Sequence, residues 1–197
     1  IASILLLNFA AFSQANRNDF DIQFRKINIE QQGASSKTYE AYKNLKGSPY
    51  VNETFAMGKI YNETEVLLSN VKLRYNAYSD EIEINNSKTG NENDYGALYK
   101  DPNLFIKINK LVYVFVPFEN SISMGNYFEI LSEDKSFDLF KKTTVKFIGP
   151  TYAVTSYDNN KPAEFKHKQV YFLVDQLGNF YELPSKKNKL LKFLSKD

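Results

Sequence analysis

Lys72-Leu73-Arg74-Tyr75-Asn76-Ala77-Tyr78-Ser79-Asp80-Glu81-Ile82-Glu83-Ile84-Asn85 alternates apolar and polar residues on both sides of a short polar break. Period-two alternation is the pattern of a strand with one buried face. With Ser79-Asp80 as a two-residue turn, Ala77 stands opposite Ile82 and Tyr75 opposite Ile84 on one face. Tyr78 then meets Glu81, and Asn76 meets Glu83, on the other. The faces agree between the two strands, and a slip of one residue would set Ile against Glu. The stretch therefore predicts an antiparallel hairpin, and the rest of the chain extends it.

Downstream, Asn109-Lys110 joins Leu104-Phe105-Ile106-Lys107-Ile108 to Leu111-Val112-Tyr113-Val114-Phe115. That register sets Ile108, Ile106 and Leu104 against Leu111, Tyr113 and Phe115, with Phe105 against Val114 behind, so the open end is buried on both faces. A third hairpin joins residues 127–131 to 137–140 across Glu133-Asp134-Lys135, its second strand continuing through Val145 and Phe147. A fourth runs over 170–174, turns at Gln176-Leu177-Gly178-Asn179 and returns over 180–183. Residues 85–96 and 157–162 read as exposed loops. Short strands at near-regular spacing predict a mainly β fold, an antiparallel meander forming an open curved sheet or a barrel. The 14 Tyr and 16 Phe fit strands, where aromatic side chains cover pleated surface.

Upstream, Phe20, Ile22, Phe24, Ile27 and Ile29 predict one strand within residues 16–30. Ser35 or Ser36 offers an N-cap for a short helix through Tyr39, Tyr42 and Leu45, and Gly47-Ser48-Pro49 breaks the chain. Residues 1–12 are uncharged and mostly apolar, and Ser13-Gln14-Ala15 sets small residues three and one before a cut. This reads as the remnant of a cleaved secretion signal over residues 1–15, incomplete at its start, leaving a single domain over 16–197. The run is shorter than the roughly 20 residues that cross a bilayer, so no transmembrane helix is expected in the mature chain. At the other end Ser185 caps the first turns of a basic amphipathic helix through Leu190, Leu191 and Leu194, which stops abruptly at Asp197. Its apolar side would pack on the sheet or, less commonly, lie on an anionic membrane.

Composition narrows the chemistry. With no Cys there is neither a disulfide nor a lipidated cysteine. Net charge is +2, from 25 basic and 23 acidic residues mixed along the chain, so no field favours nucleic acid.

Gly47-Ser48-Pro49-Tyr50 with Phe55 and Gly58, then residues 73–81, Tyr127-Phe128-Glu129 and the lysine-rich end, resemble uncharacterised exported proteins of flavobacteria-like (Bacteroidetes-type) bacteria. The resemblance covers most of the mature chain and implies a Gram-negative envelope location, periplasmic, cell-surface or secreted, and further residues past Asp197 that extend the basic helix. It brings no activity, ligand or catalytic residue.

His167 is the single histidine and lies between Lys166 and Lys168 with no nucleophile elbow nearby, so it reads as an exposed strand residue. One His and no Cys leave transition metals without their usual ligands. Asn91-Glu92-Asn93-Asp94-Tyr95-Gly96 loosely matches a calcium loop, but Tyr stands at position five and Pro102 where the bidentate Glu belongs. No catalytic residue, metal or cofactor is assigned. The first place to look for a ligand is the polar face of the opening hairpin, Arg74, Asn76, Tyr78, Glu81 and Glu83. The function expected is a non-catalytic envelope protein with a binding or structural role, its partner an envelope protein or glycan. The alternatives are a carboxylate-based hydrolase using Glu81, Glu83 or Glu129, which needs two converging carboxyls, and a small-ligand carrier with a barrel cavity.

Overall fold

The computed structural model describes residues 24–26, 45–63, 65–85, 95–118, 121–153, 157 and 159–195, with backbone alone at 24–26 and 121–123. The expected secretion signal, the helix through Tyr39 and Tyr42, and residues 91–94 of the calcium-like loop lie outside these. The strands are β1 (Phe24–Lys26), β2 (Ala56–Asn62), β3 (Glu65–Asn76), β4 (Glu81–Asn85), β5 (Tyr95–Leu98) and β6 (Leu104–Ile108). They continue as β7 (Leu111–Phe118), β8 (Ser121–Ser132), β9 (Phe137–Ile148), β10 (Glu164–Asp175) and β11 (Phe180–Glu182), followed by the helix α1 (Lys187–Leu194). The strands form one antiparallel sheet, in the order β1-β5-β4-β3-β2-β6-β7-β8-β9-β10-β11. It is a meander apart from two steps: β6 returns to pair with β2 on the side away from β3, and β1 pairs with β5 rather than with β2. The edges β1 and β11 are not neighbours, so the sheet is open rather than a closed barrel. No described helix is long and apolar enough to cross a membrane.

The β6–β7 hairpin has the register read from sequence, Ile108 opposite Leu111 and Phe105 opposite Val114, with Asn109 in the left-handed region its turn demands. The third and fourth hairpins also form where expected. At the fourth turn the Asp175 carboxylate accepts from the backbone N–H of Leu177 and Asn179 and from the Asn179 amide, which lowers its pKa to about 2. The opening hairpin differs. Tyr75 pairs with Ile82 and Arg74 with Glu83, so residues 77–80 form a four-residue turn. Asn76 Oδ1 accepts from the N–H of Tyr78 and Ser79, and Asp80 is left-handed, which together favour the longer loop. The register moves by two residues, so the apolar and polar faces stay as predicted. Two further expectations are corrected. Asn85, Tyr95 and Gly96 are strand residues rather than loop, and Lys186, not Ser185, precedes α1, without a side-chain cap.

Four strands of twelve residues give the sheet room to coil, and bulges in β2 opposite β3 add twist. The inner side buries Ile60, Leu73, Tyr75, Ile82, Ile84, Ile106, Ile108, Tyr113, Phe115 and Tyr127. The opposite side of the later strands carries a second cluster, Phe128, Phe140, Phe172 and Phe180, with rings 5.0 to 6.2 Å apart. Coiling brings the β3–β4 tip against β9, where Val145 N–H donates to Ala77 O. The Gly47-Ser48-Pro49 segment, read from sequence as a break, ties that corner shut. Lys46 exchanges backbone bonds with Ala163 and Phe165 at the start of β10, and Pro49 O accepts from Ala77 N–H at the end of β3. Gly47 has φ +72°, and a Cβ there would stand 2.4 Å from Phe165 O, so only glycine fits this strap.

Burial holds the phenols of Tyr75, Tyr113 and Tyr127 well above their ordinary pKa, with nearby carboxylates adding to the effect. In the unfolded chain these phenols ionise from about pH 10 while the folded chain keeps their protons, so they stabilise the fold below pH 10 and less as pH rises beyond it. Lys142 acts oppositely, because burial lowers its pKa and the folded state releases its proton first. Three phenols outweigh one ammonium. The urea midpoint is expected to hold to about pH 10 and then fall steeply; a midpoint unchanged through pH 11.5, roughly the end of the free-tyrosine titration, would contradict this.

Candidate functional site

Arg74, Asn76 and Glu83 converge, as the polar face of the hairpin suggested, but they converge on one another. Glu83 is 1% exposed. Arg74 donates from Nε (2.9 Å) and Nη2 (2.6 Å) to Glu83 Oε2, and Asn76 Nδ2 donates to Oε1 at 3.0 Å. Arg74 Nη1 donates to Glu53 O at 3.0 Å. The guanidinium carbon stands 3.7 Å from the Tyr50 ring centre and 4.1 Å from that of Phe55, with Tyr95 at 5.2 Å on a third side. Burial, with Glu83 adding to it, pushes the Tyr50 phenol upward. This aromatic cage has the chemistry to hold a cation, and it holds the protein's own arginine. Tyr78 stands apart in the turn, half exposed and edge-on to Phe165 at 5.5 Å. Glu81 lies at the start of β4, opposite Asn76 in the ladder.

Glu129 is 4% exposed and is paired with Lys141 at 2.6 Å, directly across the β8–β9 ladder. His167 is exposed, and its Nε2–H donates to Ser48 O at 2.7 Å, another tie between β10 and the strap. Among the described residues no group of three or more His, Asp or Glu side chains is placed to hold a metal.

A second polar cluster was not found from sequence. Past Glu129 and Lys141 the ladder between β8 and β9 stops, and the β3–β4 tip enters where the strands part. Asp80 accepts from Tyr127 N–H at 3.2 Å, from the Tyr75 hydroxyl at 2.6 Å and from Lys142 Nζ, with Lys100 Nζ at 3.6 Å. Lys142 Nζ also donates to Tyr127 O at 3.0 Å and to the Tyr75 oxygen at 3.1 Å. Burial lowers its pKa and Asp80 opposes that shift. Asp80 and Lys142 are 62 residues apart, and no local pattern couples them.

On the outer side an open groove of about 580 Å³ runs over Tyr61, Phe105, Val112 and Ile130, with Glu63 and Glu133 exposed at its rim. Comparison with known proteins adds no family to this geometry. The chain matches no protein-family model, no curated protein and no solved structure.

Breaking a buried ion pair by removing one charge typically costs about 3 kcal/mol or more. Glu83→Gln keeps the size and hydrogen-bonding oxygen but leaves the Arg74 guanidinium without its counter-charge. Urea unfolding is expected to show a loss of about 2–3 kcal/mol. A change below about 0.5 kcal/mol would mean that the Glu83 carboxylate is not held for structure.

Proposed function

We propose that the chain is an exported, non-catalytic envelope protein with a binding or structural role. Export and location rest on the secretion-signal reading of residues 1–15 and on the resemblance to exported proteins. The observation that supports a non-catalytic role is the engagement of two of the three candidate carboxylates. Glu83 is held by Arg74 and Asn76, and Glu129 by Lys141. A hydrolase needs one carboxyl poised as an acid and a second facing the scissile bond across a cleft. Glu83 and Glu129 would each have to leave a cation partner to do so, and both are buried. A binding role asks for none of this, and the groove beside Tyr61 and Phe105 offers it a surface.

Fractionation of cells producing the complete gene product tests location: the expected result is an envelope or periplasmic chain cut after Ala15, and a cytosolic, uncut chain would overturn it. Turnover assays on envelope and extracellular glycans test the other half. Hydrolysis that disappears in Glu83→Gln or Glu129→Gln, with the variants still folded, would replace this reading with the hydrolase.

A further inference from the structure

Among the described residues, helix α1 leaves part of its apolar surface exposed. Its sequence, Lys187-Asn188-Lys189-Leu190-Leu191-Lys192-Phe193-Leu194, gathers Leu190, Leu191 and Leu194 on one side, and a helix of this pattern ordinarily lays that side on its own core. Here Leu190 and Phe193 are only partly buried, no residue of the helix is fully so, and Leu191 and Leu194 are 57% and 58% exposed. The helix follows β11, the edge strand, and is tied back at Leu183, whose N–H donates to Tyr171 O. From Leu183 to Ser195 there are four lysines, Lys186, Lys187, Lys189 and Lys192, and no acid. Lys186 and Lys187 stand at the end where the helix dipole disfavours cations, with no acidic residue in the first turn to offset them. Folding stability alone gives no reason for that arrangement. A partner that is negatively charged and offers an apolar layer beneath its charges does.

We propose that α1 lies on an anionic phospholipid surface, with Leu191 and Leu194 entering the headgroup boundary and the lysines meeting lipid phosphates. The charge is complementary, since each lysine near an anionic leaflet strengthens binding about five-fold. The exposed leucines supply the apolar contact that charge alone lacks. The proposal does not depend on export, so it stands or falls separately from the location of the protein in the cell.

Co-sedimentation of the full chain with vesicles tests it, comparing phosphatidylcholine alone with phosphatidylcholine carrying roughly a third phosphatidylglycerol. The expected result is binding to the anionic vesicles only, weakened at least ten-fold in Lys189→Gln/Lys192→Gln and lost in Leu191→Ser/Leu194→Ser. All four positions are exposed, so circular dichroism should show an unchanged fold. Equal partition to both vesicles, or no binding to either, would overturn the proposal. So would full binding by the serine variant, which would indicate a phosphate contact without insertion. A concentration-dependent dimer in the absence of lipid that the serine variant abolishes would assign the leucines to a second copy of the chain instead.

Discussion

The Asp80–Lys142 pair joins the β3–β4 tip to β9 across the coiled sheet. Where β8 and β9 part, a gap opens that would expose the N–H and C=O of Tyr127, and the β3–β4 tip fills it with a carboxylate and meets an ammonium from β9. An isolated charge at such a depth costs several kcal/mol, so each partner holds the other in place. The four-residue tip, with Asp80 left-handed, places that carboxylate at the Tyr127 N–H. The neighbouring strap from Lys46 to Pro49 completes the corner through backbone bonds, with Gly47 as the residue that permits close approach to Phe165.

Much of the fold was legible because strand alternation is local. Ile106, Ile108, Tyr113 and Phe115 announce their face and their partners within a dozen residues, and the hairpin they form has the register read from them. The opening hairpin kept its faces but moved by two residues, because Asn76 and Asp80 act as turn residues through hydrogen bonds that alternation does not encode. The return of β6 to β2 was not legible, since neither strand carries a mark for a neighbour it meets only after coiling. The strap was read as a break for a similar reason, as backbone pairing leaves no side-chain pattern and Gly-Ser-Pro resembles any loop.

The candidate site was legible in part of its membership and not in meaning, since Tyr78 stands apart from the cluster. Arg74, Asn76 and Glu83 were rightly placed together on the polar face. The shifted register makes Arg74 and Glu83 direct partners, and Tyr50, Phe55 and Tyr95 close a cage over them from distant segments. A wet face thereby becomes a buried one. The charges that sequence reading offers to a ligand are largely used by the fold, and what faces outward is an acid-rimmed groove and a basic helix.

The most direct test of this account is a double-mutant cycle in urea unfolding on Asp80→Asn, Lys142→Met and the pair together. Asparagine tolerates the left-handed backbone at position 80, so the first change removes charge and little else. The account predicts that Asp80→Asn alone costs about 3 kcal/mol and that the double variant recovers much of it, a coupling of roughly 2 kcal/mol. Single losses that simply add, with coupling below about 0.5 kcal/mol, would show that the pair does not hold the coiled sheet together.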